Sequence, residues 1–262
     1  MADKEENLGL PRMLLLHGGG TNPRIFKAQC RVLERALKSH FRFVYPEAPY
    51  ECQPGPDVVS VYSEYGPFKR WLPWLPEHTE RDDETTIADI MGNIKAAMDE
   101  DDRKGATGPF VAMLGFSQGA KLAASLLFKH QKRIERLGKD TTGPDWKFAV
   151  LMAGRAPLVS LDPEVFKSTM LHDPSEITLS AQPELMDAAS EEHILRLPTI
   201  HVHGLYDPNI DLHRDLLENY CDGDTVRVLE WDGGHRVPLK ATDINPIVEY
   251  ILEFAEETGA LA

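Results

Sequence analysis

Gly115-Phe116-Ser117-Gln118-Gly119 decides how the rest of the chain is read. The apolar run Pro109-Phe110-Val111-Ala112-Met113-Leu114 precedes it, and Ala120 to Phe128, rich in good helix formers, follows. Strand, tight turn and helix in that order make G-x-S-x-G a nucleophile elbow, a turn that lifts a serine out at the end of a strand. The two glycines stand where helix and strand close on each other and side chains would collide. The helix N-terminus behind Ser117 offers unpaired N–H groups to a developing negative charge. The competing reading is a glycine-flanked serine that caps an ordinary helix.

Working outward, the pattern is of one kind. Met13 to Leu16 is continuously apolar, as in a strand buried on both faces, and runs into His17-Gly18-Gly19-Gly20. A helix is expected from about Arg24 to Ser39, a strand over Phe41 to Val44 and a helix over Thr86 to Met98, where Ile87, Ile90, Met91, Ile94 and Met98 share a face. After the elbow, strands are expected at Phe148–Met152, Thr199–His203 and Thr225–Glu230. Helices are expected at Ile210–Tyr220 and Ile244–Glu257. Such alternation predicts a mainly parallel sheet of about six strands with helices on both faces, and with the nucleophile elbow in it an α/β-hydrolase fold. No repeat or linker interrupts it, so residues 1–262 read as one domain. Two excursions, 45–80 and 158–197, lack a clear period; the second is expected to hold short helices.

A serine hydroxyl needs a base, and the base an orienting acid. In this fold they follow the serine in the order acid, then histidine, each just past a strand. Asp207, in His203-Gly204-Leu205-Tyr206-Asp207-Pro208, and His235, in Trp231-Asp232-Gly233-Gly234-His235-Arg236, meet that order. Asp232 is a rival acid, but its place three residues from His235 suits a turn former. His213, inside a helix, reads as a surface residue. The oxyanion of a tetrahedral intermediate needs backbone donors already in place. These are expected from Gln118 N–H and from the first glycine loop, with Gly19 first and Gly20 second. Pro23 stands where G-x-G-x-x-G would need its last glycine, which argues against a dinucleotide site. His201 and His203 with Asp207 suggest a metal set, but no third nitrogen or sulfur ligand follows at useful spacing, so no metal and no cofactor is expected.

Tyr62, Tyr65, Phe68, Trp71 and Trp74, interspersed with five prolines, make the first excursion too apolar for a plain surface loop. It is expected to form a lid or acyl-pocket wall, with Phe68 and Trp71 touching substrate; a satellite core is the alternative. The basic run Lys129, Lys132, Arg133 and Arg136 reads as a solvated helix end, or more weakly as a docking patch for an acidic carrier protein.

Bulk properties bound the partners. A formal charge of −14 on 262 residues disfavours nucleic acid and anionic membrane. Hydrophobic residues, at 42%, suffice for a core, and no apolar run is long enough to span a bilayer. Cys30, Cys52 and Cys221 form neither a disulfide framework nor a metal pattern, which fits a reducing, cytoplasmic setting. The polar, acidic stretch Met1 to Asn7 does not read as a signal peptide.

His17-Gly18-Gly19-Gly20-Thr21-Asn22, Gly115 to Ala120, His203-Gly204 to Asp207 and Gly233-Gly234-His235-Arg236-Val237-Pro238 together resemble the fungal family of small serine hydrolases. Its members include stand-alone thioesterases and esterases of polyketide gene clusters, among them the lovastatin-pathway thioesterase. The likeness runs from Arg12 to about Phe254, and Tyr65 to Trp71 resembles a family feature near the acyl pocket. The resemblance implies Ser117, Asp207 and His235 as nucleophile, acid and base. It also implies release of a polyketide or fatty acyl chain from an ester or thioester, with an acyl carrier protein as a partner. A general small-ester carboxylesterase and a non-catalytic binder of hydrophobic ligands are the alternatives.

Overall fold

The computed structural model describes residues 7–78, 81–138, 143–177 and 191–261. Its centre is a six-stranded parallel sheet in the order β2-β1-β5-β6-β7-β8. The strands are β1 (Arg12–Leu16), β2 (Arg42–Val44), β5 (Phe110–Phe116), β6 (Phe148–Met152), β7 (Thr199–Gly204) and β8 (Val226–Trp231). β3 (Tyr50–Cys52) and β4 (Phe68–Arg70) form a separate antiparallel ribbon. The helices are α1 (Pro23–Gln29), α2 (Arg31–Leu37), α3 (Pro56–Tyr62), α4 (Asp83–Arg103), α5 (Gln118–Leu137), α6 (Ile210–Tyr220) and α7 (Ala241–Glu257).

Strand alternation sorts the core into two layers. Met13, Leu15, Ala112, Leu114, Phe148, Val150, Ile200 and Val202 face one side. There they meet Phe26, Leu33 and Leu37 of α1 and α2 and Ile244, Ile247, Ile251 and Phe254 of α7. Leu14, Leu16, Met113, Ala149 and Leu151 face the other, against Ile90 and Ile94 of α4, Leu122 and Leu126 of α5 and Leu216 of α6. From β1 the chain steps outward to β2, then returns to lay β5 on β1's other edge. That reversal opens a crevice beyond the carboxyl ends of β1 and β5, where sheets of this kind bind ligands.

Two expectations change. The helix read over 24–39 bends at Cys30, the C-cap of α1 and the N-cap of α2. Backbone bonds flank it (Cys30 N–H to Phe26 O, 2.8 Å; Glu34 N–H to Cys30 O, 2.8 Å), so two short helices follow one another directly where one was expected. The basic run is not a solvated end. Arg133 pairs with Asp162 (2.5 Å), Arg136 donates to Val165 O (2.7 Å), and buried Lys132 lies over Phe128 and Phe166 and pairs with Glu135. These groups hold the second excursion against α5. In that excursion the described residues hold the 3-10 turn Glu191–His193; the expectation of short helices there falls largely on residues 178–190, which lie outside the described residues, as do residues 79 and 80 of the first excursion.

Candidate active site

The elbow sits in the switch-point crevice. Ser117 has φ 54° and ψ −117°, a region that a non-glycine residue occupies only when its surroundings force it. Here its N–H donates to Met152 O on β6 (2.8 Å), and α5 begins at the next residue. The neighbouring glycines are required by contact. A Cβ on Gly115 would lie 2.2 Å from Gly119 O, and one on Gly119 would lie 2.0 Å from Leu16 O.

Two further loops converge on Ser117. Asp207 follows β7 and His235 follows β8, and the loops are stitched together by Leu205 N–H to Trp231 O and Tyr206 N–H to Gly233 O, both 2.9 Å. The Ser117 hydroxyl donates to His235 Nε2 (3.0 Å), and His235 Nδ1–H donates to Asp207 Oδ2 (2.6 Å). Asp207 Oδ1 accepts from Asn209 N–H (2.9 Å). Burial alone would push the Asp207 carboxyl up. The His235 hydrogen bond, the Asn209 N–H and the nearby imidazoles outweigh it and hold the group at about 2. An imidazole so placed can take the serine proton while an ionised carboxylate supports the resulting cation. Asp232 is exposed, and its charge bears on the Tyr206 hydroxyl rather than on this relay.

His213 departs from its expected surface position. It is fully buried, on the face of α6 that also buries Leu216 and Tyr220. Its Nε2 stands 3.7 Å from Asp207 Oδ2, and burial holds the ring neutral, with its pKa down at about 3. The His201–His203–Asp207 set does not form: His201 Nε2 lies 3.1 Å from Thr199 Oγ1, and the His203 ring faces His213. Among the described residues the grouping that converges is Asp207, His213 and His235, with ligand-type atoms within 4.8 Å of one another. Its shortest contact is the Asp207–His235 hydrogen bond, and the other nitrogen of His235 is turned to Ser117.

The first glycine loop lies across the elbow. Among the described residues neither Gly19 N–H nor Gln118 N–H has an acceptor, whereas Gly20 N–H is taken by Lys69 O (2.9 Å). Gly20 is therefore unavailable to an oxyanion. His17 holds the loop's shape: Nδ1–H donates to Gly18 O (2.8 Å) and Nε2 accepts from Ala48 N–H (3.1 Å). Burial lowers the His17 pKa to about 4, keeping Nε2 an acceptor.

The first excursion braces this loop. β4 bridges it at Thr21–Lys69, and Asn22 Nδ2 donates to Tyr65 O (2.7 Å) and Pro67 O (2.9 Å). The Gln118 side chain clamps the brace to the elbow, accepting from Trp71 N–H (2.7 Å) and donating to Leu72 O (3.0 Å). Trp71 is corrected here: it is 0% exposed, and its indole N–H donates to His17 O (2.9 Å). It supports the loop from within and presents no surface to an acyl chain. Phe68 is half-buried on β4. The aromatic side chain against the first glycine loop is Trp74, half-buried, whose ring would lie 2.8 Å from a Cβ on Gly19. His78 fixes it, accepting from Trp74 N–H (3.1 Å) and packing edge-on at 4.5 Å. No spacing in the sequence separates Trp74 from Trp71; only the tertiary partners do.

A parallel α/β sheet bearing a serine–histidine–aspartate relay at its carboxyl edge defines a serine hydrolase of the α/β-hydrolase fold. The family model described as Serine hydrolase (FSH1) matches residues 9–247, and the chain belongs to that family. It is 52% identical over 257 residues to the esterase GME11355 of Pestalotiopsis microspora, spanning 98% of this chain and 96% of that protein. It is 53% identical over 252 residues to the probable esterase tazC of Aspergillus terreus, spanning 96% and 95%. Among solved structures it resembles Zea mays acyl-protein thioesterase 2 (TM-score 0.54, 17% identity, 95% of each chain). It also resembles the Bacillus cereus carboxylesterase (TM-score 0.50, 18% identity, 95% of this chain and 91% of that one). These two likenesses bear on the fold.

Proposed function

We propose that Ser117 is the nucleophile, His235 the general base and Asp207 the orienting acid in hydrolysis of an acyl ester or thioester, with Gly19 and Gln118 N–H groups as the oxyanion hole. The supporting observation is the unbroken relay from Ser117 Oγ through His235 to Asp207 beside two amide donors without acceptors. His235 takes the serine proton as Oγ attacks the acyl carbon, and the two N–H groups meet the charge on the carbonyl oxygen. The protonated imidazole then delivers its proton to the leaving alcohol or thiol. Water, deprotonated by the same imidazole, releases the acid and restores Ser117.

The substrate we infer is a polyketide or fatty acyl chain held as a thioester on a carrier protein, in keeping with the family resemblance. Hydrolysis of small oxygen esters is the second reading, favoured by the esterase names of the curated relatives. Acyl-pantetheine or acyl-carrier thioesters compared with p-nitrophenyl esters of the same chain decide between them. The first reading expects kcat/KM at least about tenfold higher on the thioester; equal or lower values on every chain tried contradict it. A cytoplasmic setting is in keeping with three free cysteines, and among the described residues no helix is long and apolar enough to cross a membrane.

Trp74 and Phe68 form the proposed aromatic wall of the acyl site. Trp74→Ala should weaken hydrolysis of long acyl chains by about 10- to 100-fold, since each buried aromatic contact is worth roughly 1.5–3 kcal/mol. Acetyl esters should change far less. Equal losses on both, with a lowered Tm, contradict the wall and make Trp74 a packing residue.

A further inference from the structure

Among the described residues, two basic side chains beside the elbow form no ion pair. Lys121 lies one turn into α5, its N–H donating to Ser117 O (3.1 Å), yet it is only 5% exposed. The same face of α5 carries Ser125, whose hydroxyl donates to Lys121 O (2.7 Å) and accepts from Val159 N–H (2.9 Å). Residues four apart share a helix face, so Lys121 is turned toward the segment that leaves β6. That segment holds Arg155. It is pinned by Gly154, where a Cβ would lie 3.1 Å from Ala120 Cβ, and by Ala156 N–H donating to Leu212 O (3.3 Å). Arg155 is thereby wedged between α5 and α6, where its charge bears on both Lys121 and Asp207.

Among the described residues neither cation has an ion pair or a side-chain hydrogen bond, and Arg155 Nε is buried without an acceptor. Burial first, and the Arg155 charge second, push the Lys121 amine down to about 7. Burial likewise lowers Arg155, opposed by Asp207, whose carboxylate is already bonded to His235 and Asn209. An unpaired buried ammonium beside a like charge destabilises a fold, and methionine at position 121 would pack without that cost. Stability therefore does not account for the pair.

We propose that Lys121 and Arg155 form an anion-binding end of the acyl site, which takes a carboxylate-like oxyanion carried on the acyl chain beyond the reacting carbonyl. The inference rests on the reading of Ser117 as nucleophile. A guanidinium meets a small planar anion with two parallel N–H bonds, and the ammonium adds a point charge.

The test compares mono-p-nitrophenyl glutarate with p-nitrophenyl 5-methylhexanoate, in which an isopropyl group replaces the carboxylate. Lys121→Met and Arg155→Met should each lower the glutarate-to-methylhexanoate ratio of kcat/KM by roughly 10- to 100-fold, mainly through KM for the anionic ester. Lys121→Arg should retain most of the ratio, and Lys95→Met, on the exposed face of α4, should not alter it. Ratios within about twofold of wild type in both methionine variants overturn the proposal. Should those variants fail to fold, the wild-type enzyme decides. Glutarate should protect Ser117 from a fluorophosphonate at lower concentration than uncharged glutaramide does, and equal protection overturns the proposal. A wild-type enzyme that does not react with the fluorophosphonate at all instead contradicts the nucleophile assignment.

Discussion

Ser117→Ala is expected to lower kcat/KM on any ester substrate by about 10⁴- to 10⁶-fold with little change in Tm. The hydroxyl makes a single bond, to His235 Nε2, and its removal leaves the elbow backbone in place. His235→Ala should cost about as much, because the members act as a unit, and the double variant should be little worse than either single one. Asp207→Asn should cost roughly 10³- to 10⁴-fold. The amide would offer an N–H where the carboxylate accepts from His235 Nδ1 and so favour the wrong imidazole tautomer. Asp232→Asn should change rates little, since Asp232 is exposed and His235 is bonded to Asp207 instead. Steady-state kinetics on p-nitrophenyl esters check all four. A crippled Asp232→Asn with a mild Asp207→Asn would reassign the acid.

Gly119→Ala should abolish the fold at the elbow. The added methyl would stand 2.0 Å from Leu16 O and 2.6 Å from His17 O. Both are backbone atoms where β1 enters the first glycine loop, so no side-chain rotation relieves the clash. A shift of α5 away from β1 would also break the helix–sheet packing of Ala120, Leu122 and Ala123, all fully buried. Destabilisation above about 4 kcal/mol is expected, a large part of the 5–15 kcal/mol typical of a domain. Expression should yield little soluble protein, or a Tm lowered by more than about 10 °C. Gly92→Ala, in α4 with nothing within 4 Å of the new methyl, should keep or raise Tm, because alanine is the better helix former. A folded Gly119→Ala protein with unchanged Tm would contradict the close approach of α5 to β1.

What was legible in the sequence depended on short-range pattern. Apolar runs such as Met13–Leu16 and Phe148–Met152 become strands because a parallel sheet buries both faces. Ser117, Asp207 and His235 were findable because the fold imposes an order and places each past a strand. Features settled by distant partners were not legible in this way. Trp71 and Trp74 are chemically alike three residues apart. The carbonyl of His17 and the side chain of Gln118 draw one into the core, while the other rests on Gly19. The ribbon of β3 and β4 has three residues per strand, too few for a period to register. His213 carried a weak signal, since it falls in register with Leu216 and Tyr220, three and seven positions on, but a histidine in a helix is easily read as solvated. Lys121 is hidden in the same way: the first turns of α5 are buried all round, a context that overrides the ordinary preference of lysine for water.

The most direct test of the central claim is peptide mapping after reaction with a fluorophosphonate. One label per chain is predicted, on the peptide containing Ser117, with labelling lost in Ser117→Ala and strongly slowed in His235→Ala. A label on Ser125 or any other serine, or an unlabelled Ser117 in protein that still hydrolyses esters, would contradict the account.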